Sequence, residues 1–156
     1  MDKEINFQIK NHKKLNTKII FITYLKETLS KDEKLLELAL KEWERLIIEN
    51  SKCVIIVDTR ILKSVSYEYL WSKLDRITQM DTIIKSNVMC IVYLINNKIF
   101  KVMANSIMSI YKPVTNIRLS NSIEDGMKFI NSVCSKKDGK DGKDGKDGKD
   151  GKEEKE

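Results

Sequence analysis

The side chains able to do chemistry in this chain are few and scattered. Its single histidine, His12, lies in a basic turn with Lys10, Lys13, Lys14 and Lys18 close by. The three cysteines, Cys53, Cys90 and Cys134, are an odd number without short spacing, which argues against both a disulfide framework and a zinc site. A Cys–His or Ser–His–Asp arrangement would need His12 to reach across the molecule. No glycine-rich phosphate loop is present, because the six glycines are Gly126 and five in the C-terminal repeat. Two short polar runs are better placed. Asp58-Thr59-Arg60 directly follows the apolar run Cys53–Val57, and Ser64-Val65-Ser66-Tyr67-Glu68 leads into the next helical pattern. Open α/β sheets carry their functional loops at the carboxyl ends of central strands. Asp58, Arg60, Ser64, Ser66 and Glu68 are therefore the candidate site residues, with no catalytic set, metal or cofactor among the expectations. The plainer roles are an N-cap for Ser66 and a loop carboxylate bonded to nearby backbone donors for Asp58.

The elements that must position these residues follow from periodicity. Ile5–Ile9 alternates apolar and polar, and Lys18–Tyr24 is rich in β-branched and aromatic residues, so the two form a hairpin at a sheet edge around the Asn11–Asn16 turn. Ser30-Lys31-Asp32-Glu33 fits a capping box, followed by a stripe of Leu35, Leu36, Ala39, Trp43, Leu46 and Ile47. Cys53–Val57 and Val88–Ile95 are continuously apolar, as central strands covered on both faces are. Between them a second helix from about Tyr67 buries Tyr67, Leu70, Trp71, Leu74 and Ile77. Asn96-Asn97 caps a third helix, with Ile99, Val102, Met103, Ser106, Ile107 and Ile110 as its inner stripe and Asn105 a half-buried amide. Trp43 and Val102 are expected core residues. Pro113 stops that helix, Asn116–Leu119 is a short last strand, and Ser122 caps a fourth helix with Ile123, Met127 and Ile130 inside. This alternation requires right-handed crossovers and a mostly parallel sheet.

Composition narrows the partner classes. The net charge of +6 resides in residues 1–135, since from Lys136 onward eight Lys balance eight Asp or Glu. Lysine outnumbers arginine 25 to 4, without the arginine and interleaved aromatics that nucleic-acid readers use, so nucleic acid is not expected as a partner. Five or so Asp-Gly-Lys triplets without proline read as a disordered, charge-balanced tail over residues 136–156 rather than a collagen-like helix. Removing that tail is expected to leave stability unchanged. No apolar stretch approaches the roughly 20 residues that span a bilayer, and the N-terminus lacks a signal-peptide pattern, so a cytoplasmic protein without membrane insertion is expected.

Three segments together resemble the STAS superfamily, whose best-known members are bacterial anti-sigma factor antagonists. They are Ile55-Ile56-Val57-Asp58 with the following Ser64-Val65-Ser66; Asn105–Pro113; and Ser120–Ile130, the last two closest to a little-characterised bacterial STAS-like branch. The resemblance implies an α/β domain over residues 1–135 with a mixed, mainly parallel sheet of about five strands and four helices. It also implies a non-enzymatic regulatory module whose partner is a protein, a switch kinase or anti-sigma-like regulator, with a homodimer also allowed. Ser66 matches the serine phosphorylated in such antagonists, although Val65 replaces the usual aspartate and Glu68 the usual glycine. Asp58 matches the acidic residue common at this point of STAS strands. The alternative on the same fold is a small-ligand or lipid carrier, which would need a continuous apolar pocket of roughly 300 Å³ or more.

Overall fold

The computed structural model of the chain describes residues 4–27, 33–63 and 65–138. The expected cap at Ser30, the candidate Ser64 and the tail beyond Asp138 lie outside the described residues. The elements are β1 (Ile5–His12), β2 (Thr17–Tyr24), α1 (Glu33–Glu49), β3 (Cys53–Asp58), α2 (Tyr67–Thr78), α3 (Asp81–Asn87), β4 (Val88–Leu94), α4 (Lys98–Ile110), β5 (Asn116–Ser120) and α5 (Ile123–Asp138). The five strands form one sheet in sequence order, β1-β2-β3-β4-β5. Only β1, paired with β2 through a short 3-10 turn at Lys13–Leu15, is antiparallel; the other pairs are parallel. The α/β class, the edge hairpin and the mainly parallel sheet are as the sequence predicts. The helix count is five rather than four, because α3 forms a separate helix of about two turns ahead of β4.

Sequential strand order with right-handed crossovers places every crossover helix on the same face of the sheet. That face packs Ile20, Ile22, Ile55, Val57 and Ile91 against Leu40, Trp43 and Ile47 of α1, Ile84 of α3 and Phe100 of α4. The opposite face presents Ile19, Val54, Ile56, Cys90 and Val92, and α5 covers it with Ile130 and Cys134. Each of these large side chains contributes about 1.5–3 kcal/mol when withdrawn from water. All three cysteines are buried and outside any disulfide, and burial pushes the Cys53 thiol up to about 11. Among the described residues no helix is long and apolar enough to cross a membrane.

Two helix faces depart from the expected phase. On α4, Ile99, Val102 and Ile110 point to solvent while Phe100 and Ile107 are buried, so Val102 is not a core residue, and Asn105 is exposed rather than half-buried. The reason is that α4 is apolar on both sides, and periodicity alone chose the wrong one. On α5, Ile123 is exposed and the inward positions begin at Gly126. A methyl group on Gly126 would stand 2.9 Å from Val92 Cγ1, so the glycine sets how closely α5 approaches β4. Gly126→Ala gains about 1 kcal/mol of helix propensity but pays about 1–3 kcal/mol in overpacking. Urea unfolding is expected to show a net loss near 1 kcal/mol, growing for Gly126→Val.

Candidate functional site

The chain leaves β3 at Asp58 and is held immediately. Thr59 is buried, and both its N–H and its hydroxyl donate to the Leu94 carbonyl at the end of β4, at 3.1 and 2.9 Å. Asp58 accepts a forked pair of bonds from Arg60, Nε to Oδ1 at 2.9 Å and Nη2 to Oδ2 at 2.7 Å, and a third from the Arg60 backbone N–H at 3.1 Å. Farther on, Asn97 donates from Nδ2 to the Lys63 carbonyl while its Oδ1 caps α4 by accepting from Ile99 and Phe100. The loop is thereby tied to β4 behind it and to α4 beside it. It ends at Ser66, whose Oγ accepts from the Tyr69 N–H at 3.1 Å and caps α2.

Of the candidates, Asp58 and Arg60 are brought together and half-buried, and Ser66 and Glu68 are exposed at the first turn of α2. On the same connection, Ile61 and Tyr67 are each 42% exposed. Tyr67 was expected inside; instead it lies edge-on to Trp71 with ring centroids 5.8 Å apart. Asp58 thus fills the plainer role of a loop carboxylate, and Ser66 is an N-cap with an accessible hydroxyl.

Burial alone would raise the Asp58 carboxyl, but the Arg60 hydrogen bonds and charge outweigh it and hold the group below its ordinary value. A depressed folded-state value means the pair stabilises fully above the unfolded carboxylate value, near 4, and loses that contribution as pH falls through the folded value. The stability difference between wild type and Arg60→Met should be about 1 kcal/mol at neutral pH and shrink towards zero as pH falls through the folded carboxyl value. Urea titrations across that range read the difference directly.

A residue that sequence reasoning passed over lies on the inner face of α2. Lys73 is only 8% exposed, and its Nζ donates to the Tyr24 hydroxyl at 2.9 Å. The ammonium sits 5.1, 5.5 and 5.8 Å from the ring centroids of Tyr24, Trp43 and Tyr93. Among the described residues no carboxylate pairs with it, so ring faces and one phenol take the place of a counter-ion. Burial, offset in part by a hydrogen bond from Tyr69, pushes the Tyr24 phenol up to about 12. Its signal was positional: Lys73 shares a helix face with Leu70, Leu74 and Ile77.

Two hollows bear on ligand binding. An apolar cleft between α2 and α4, bordered by Leu70, Lys73, Leu74, Tyr93, Ala104 and Met108, measures about 100 Å³. A larger hollow of about 350 Å³ at the basic turn is lined by Asn11, His12, Lys13, Asn16, Thr17, Lys18, Ser51 and Lys52. There His12 Nδ1 accepts from the Leu15 N–H, Lys18 donates to Asn50, and Thr17 donates to the Lys52 carbonyl. Those groups close turns, with Asn16 and Lys52 in the left-handed region. No group of three or more His, Cys, Asp or Glu among the described residues could hold a metal ion. Comparison with protein-family models, curated proteins and solved structures finds no match to the chain.

Proposed function

We propose that the chain is a STAS-like regulatory module that docks on a protein partner through the segment Asp58–Glu68 and the first turn of α2. One observation carries this reading. Ser66 presents an exposed cap hydroxyl at the end of a connection that also exposes Ile61 and Tyr67 and is fastened at the Asp58–Arg60 pair and the Asn97–Lys63 bond. Apolar side chains on a connection so fastened offer a partner contact area at a reduced entropy cost of ordering it. A phosphate on Ser66 would add about −1.5 to −2 charges where free N–H groups and the helix dipole favour them, with the charge of Glu68 opposing. By resemblance the partner is a switch kinase or an anti-sigma-like regulator, and buried cysteines without disulfides accord with work in the cytoplasm.

The carrier reading gains less support, since the apolar cleft, at about 100 Å³, falls well short of a lipid or cofactor pocket. The deciding experiment recovers the partner with the wild-type chain and measures its affinity for Ser66→Ala, Ser66→Asp and a Lys13→Ala/Lys14→Ala double variant. The Ser66 variants should change affinity by about tenfold or more, roughly 1.4 kcal/mol, with the lysine variant unchanged. Unchanged affinity for both serine variants, with a salt-dependent loss for the lysine variant, would instead assign docking to the basic turn.

A further inference from the structure

The cleft between α2 and α4 is apolar except at one charge. Leu70 and Leu74 of α2 and Ala104 and Met108 of α4 form its walls, and Tyr93 of β4 with Ile117 and Leu119 of β5 forms its floor. All of these side chains are half-buried, although Tyr93 stands on a strand flanked by β3 and β5. The sheet is therefore incompletely covered between the two helices, and the cleft opens to solvent. Among the described residues that line it, Lys73 is the only charged one.

Lys73 is short of partners. An ammonium has three N–H groups. One donates to the Tyr24 hydroxyl, and among the described residues Lys73 makes no other hydrogen bond and no ion pair. The Tyr24 oxygen already accepts from Tyr69, and its phenol, pushed up to about 12, is uncharged at neutral pH and supplies no counter-charge. Ring faces offset only part of what an ammonium loses on leaving water. Its Nζ lies 5.8 Å from the ring centroid of Tyr93, part of the cleft floor, so the charge stands at the inner edge of the cleft. A single cation there matches a single negative charge; a phosphate monoester, at about −1.5 to −2, would leave charge unpaired among apolar side chains. Size sets the tail. Apolar cavities of about 150 Å³ hold a benzene ring, so an open cleft of about 100 Å³ suits about four to six carbons. We infer that the cleft binds a small aliphatic monocarboxylate, its carboxylate paired with the Lys73 ammonium and its tail lying between Leu70, Leu74, Ala104 and Met108. The site is separate from Ser66 and does not rest on the protein-docking reading.

The probe is sodium hexanoate, titrated into the full chain and followed by amide chemical shifts and by the unfolding temperature. Saturable binding below about 10 mM is expected, with shift changes centred on Leu70, Lys73, Ala104 and Met108 and an unfolding temperature that rises with ligand concentration. From butanoate to hexanoate, affinity should rise up to about fourfold per methylene. 1-Hexanol should bind about tenfold or more weaker, and hexylammonium should not saturate. Lys73→Met keeps the side-chain length and removes the charge; it should lose about tenfold in hexanoate affinity and bind hexanoate and 1-hexanol alike. Ala104→Leu, which fills the cleft from α4 and leaves Lys73 in place, should abolish binding of both, and it tests the site even where Lys73→Met fails to fold. Ser66→Asp should leave hexanoate affinity unchanged. No saturation by about 10 mM, or equal binding of hexanoate and 1-hexanol to the wild-type chain, would overturn the inference. So would hexanoate affinity undiminished in a folded Lys73→Met chain or in Ala104→Leu.

Discussion

Replacing Trp43 with alanine is expected to lower unfolding stability by about 3–5 kcal/mol. Trp43 is 2% exposed and stands in the main core between α1 and the sheet, with Leu46, Ile47 and Ile55 in the same cluster. Removing the indole leaves a cavity that neighbouring elements can only partly fill. It also strips one of three rings from around the Lys73 ammonium, whose Nζ lies 5.5 Å from the indole centroid. A buried charge that loses part of its compensation adds to the cost of the cavity. Thermal unfolding should show a drop of roughly 10–20 °C. Trp43→Phe, which keeps a ring face, should recover much of the loss. Wild-type stability for Trp43→Ala would mean that α1 does not pack on the sheet through this residue.

The second large effect separates the two faces of α4. Ile107 is 5% exposed and Val102 is 64% exposed, five residues apart on one helix. Ile107→Asp puts an unpaired carboxylate into the core and should cost about 4 kcal/mol or more, enough to unfold a domain of ordinary stability. Val102→Asp changes a solvent-facing position and should stay within about 0.5 kcal/mol of wild type. Urea unfolding followed by tryptophan fluorescence reads both variants. Equal destabilisation would place Val102 inside.

How much of this was legible in the sequence depended on whether a segment had one apolar side or two. β3 and β4 read correctly because Val54–Val57 and Val88–Leu94 are apolar at nearly every position, which only a strand covered on both faces tolerates at that length. The α4 boundaries read correctly because Asn97 caps and Pro113 follows. Its facing did not, since periodicity picks out a side only when the other is polar. Helix α3 escaped notice for lack of punctuation: Met80 precedes it without a side-chain cap bond, and only Ile84 is buried. Lys73 escaped because a lysine on a stripe normally reaches water; burial here needs three aromatic rings drawn from β2, α1 and β4, which no local window contains. At the candidate site, the sequence placed Asp58, Arg60, Ser66 and Glu68 on one connection. The forked Asp58–Arg60 pair and the Asn97–Lys63 tie depend on turn geometry and on contacts 34 residues apart. The Thr59–Leu94 and Asn97–Lys63 bonds fasten described residues of the connection to β4 and to the cap of α4.

On the proposed reading, the partner sits on the Ser66 end of α2. The most direct test of that placement is site-specific photo-crosslinking in cells, with a photoreactive residue at Ile61 on the loop and, separately, at Leu38 on α1. Both positions are exposed, at 42% and 59%, so neither substitution should disturb the core. A discrete protein adduct is expected from Ile61, none from Leu38, and the yield of the Ile61 adduct should change when Ser66→Asp is introduced. Equal adducts from both positions, or an Ile61 adduct indifferent to Ser66→Asp and Ser66→Ala alike, would contradict that placement.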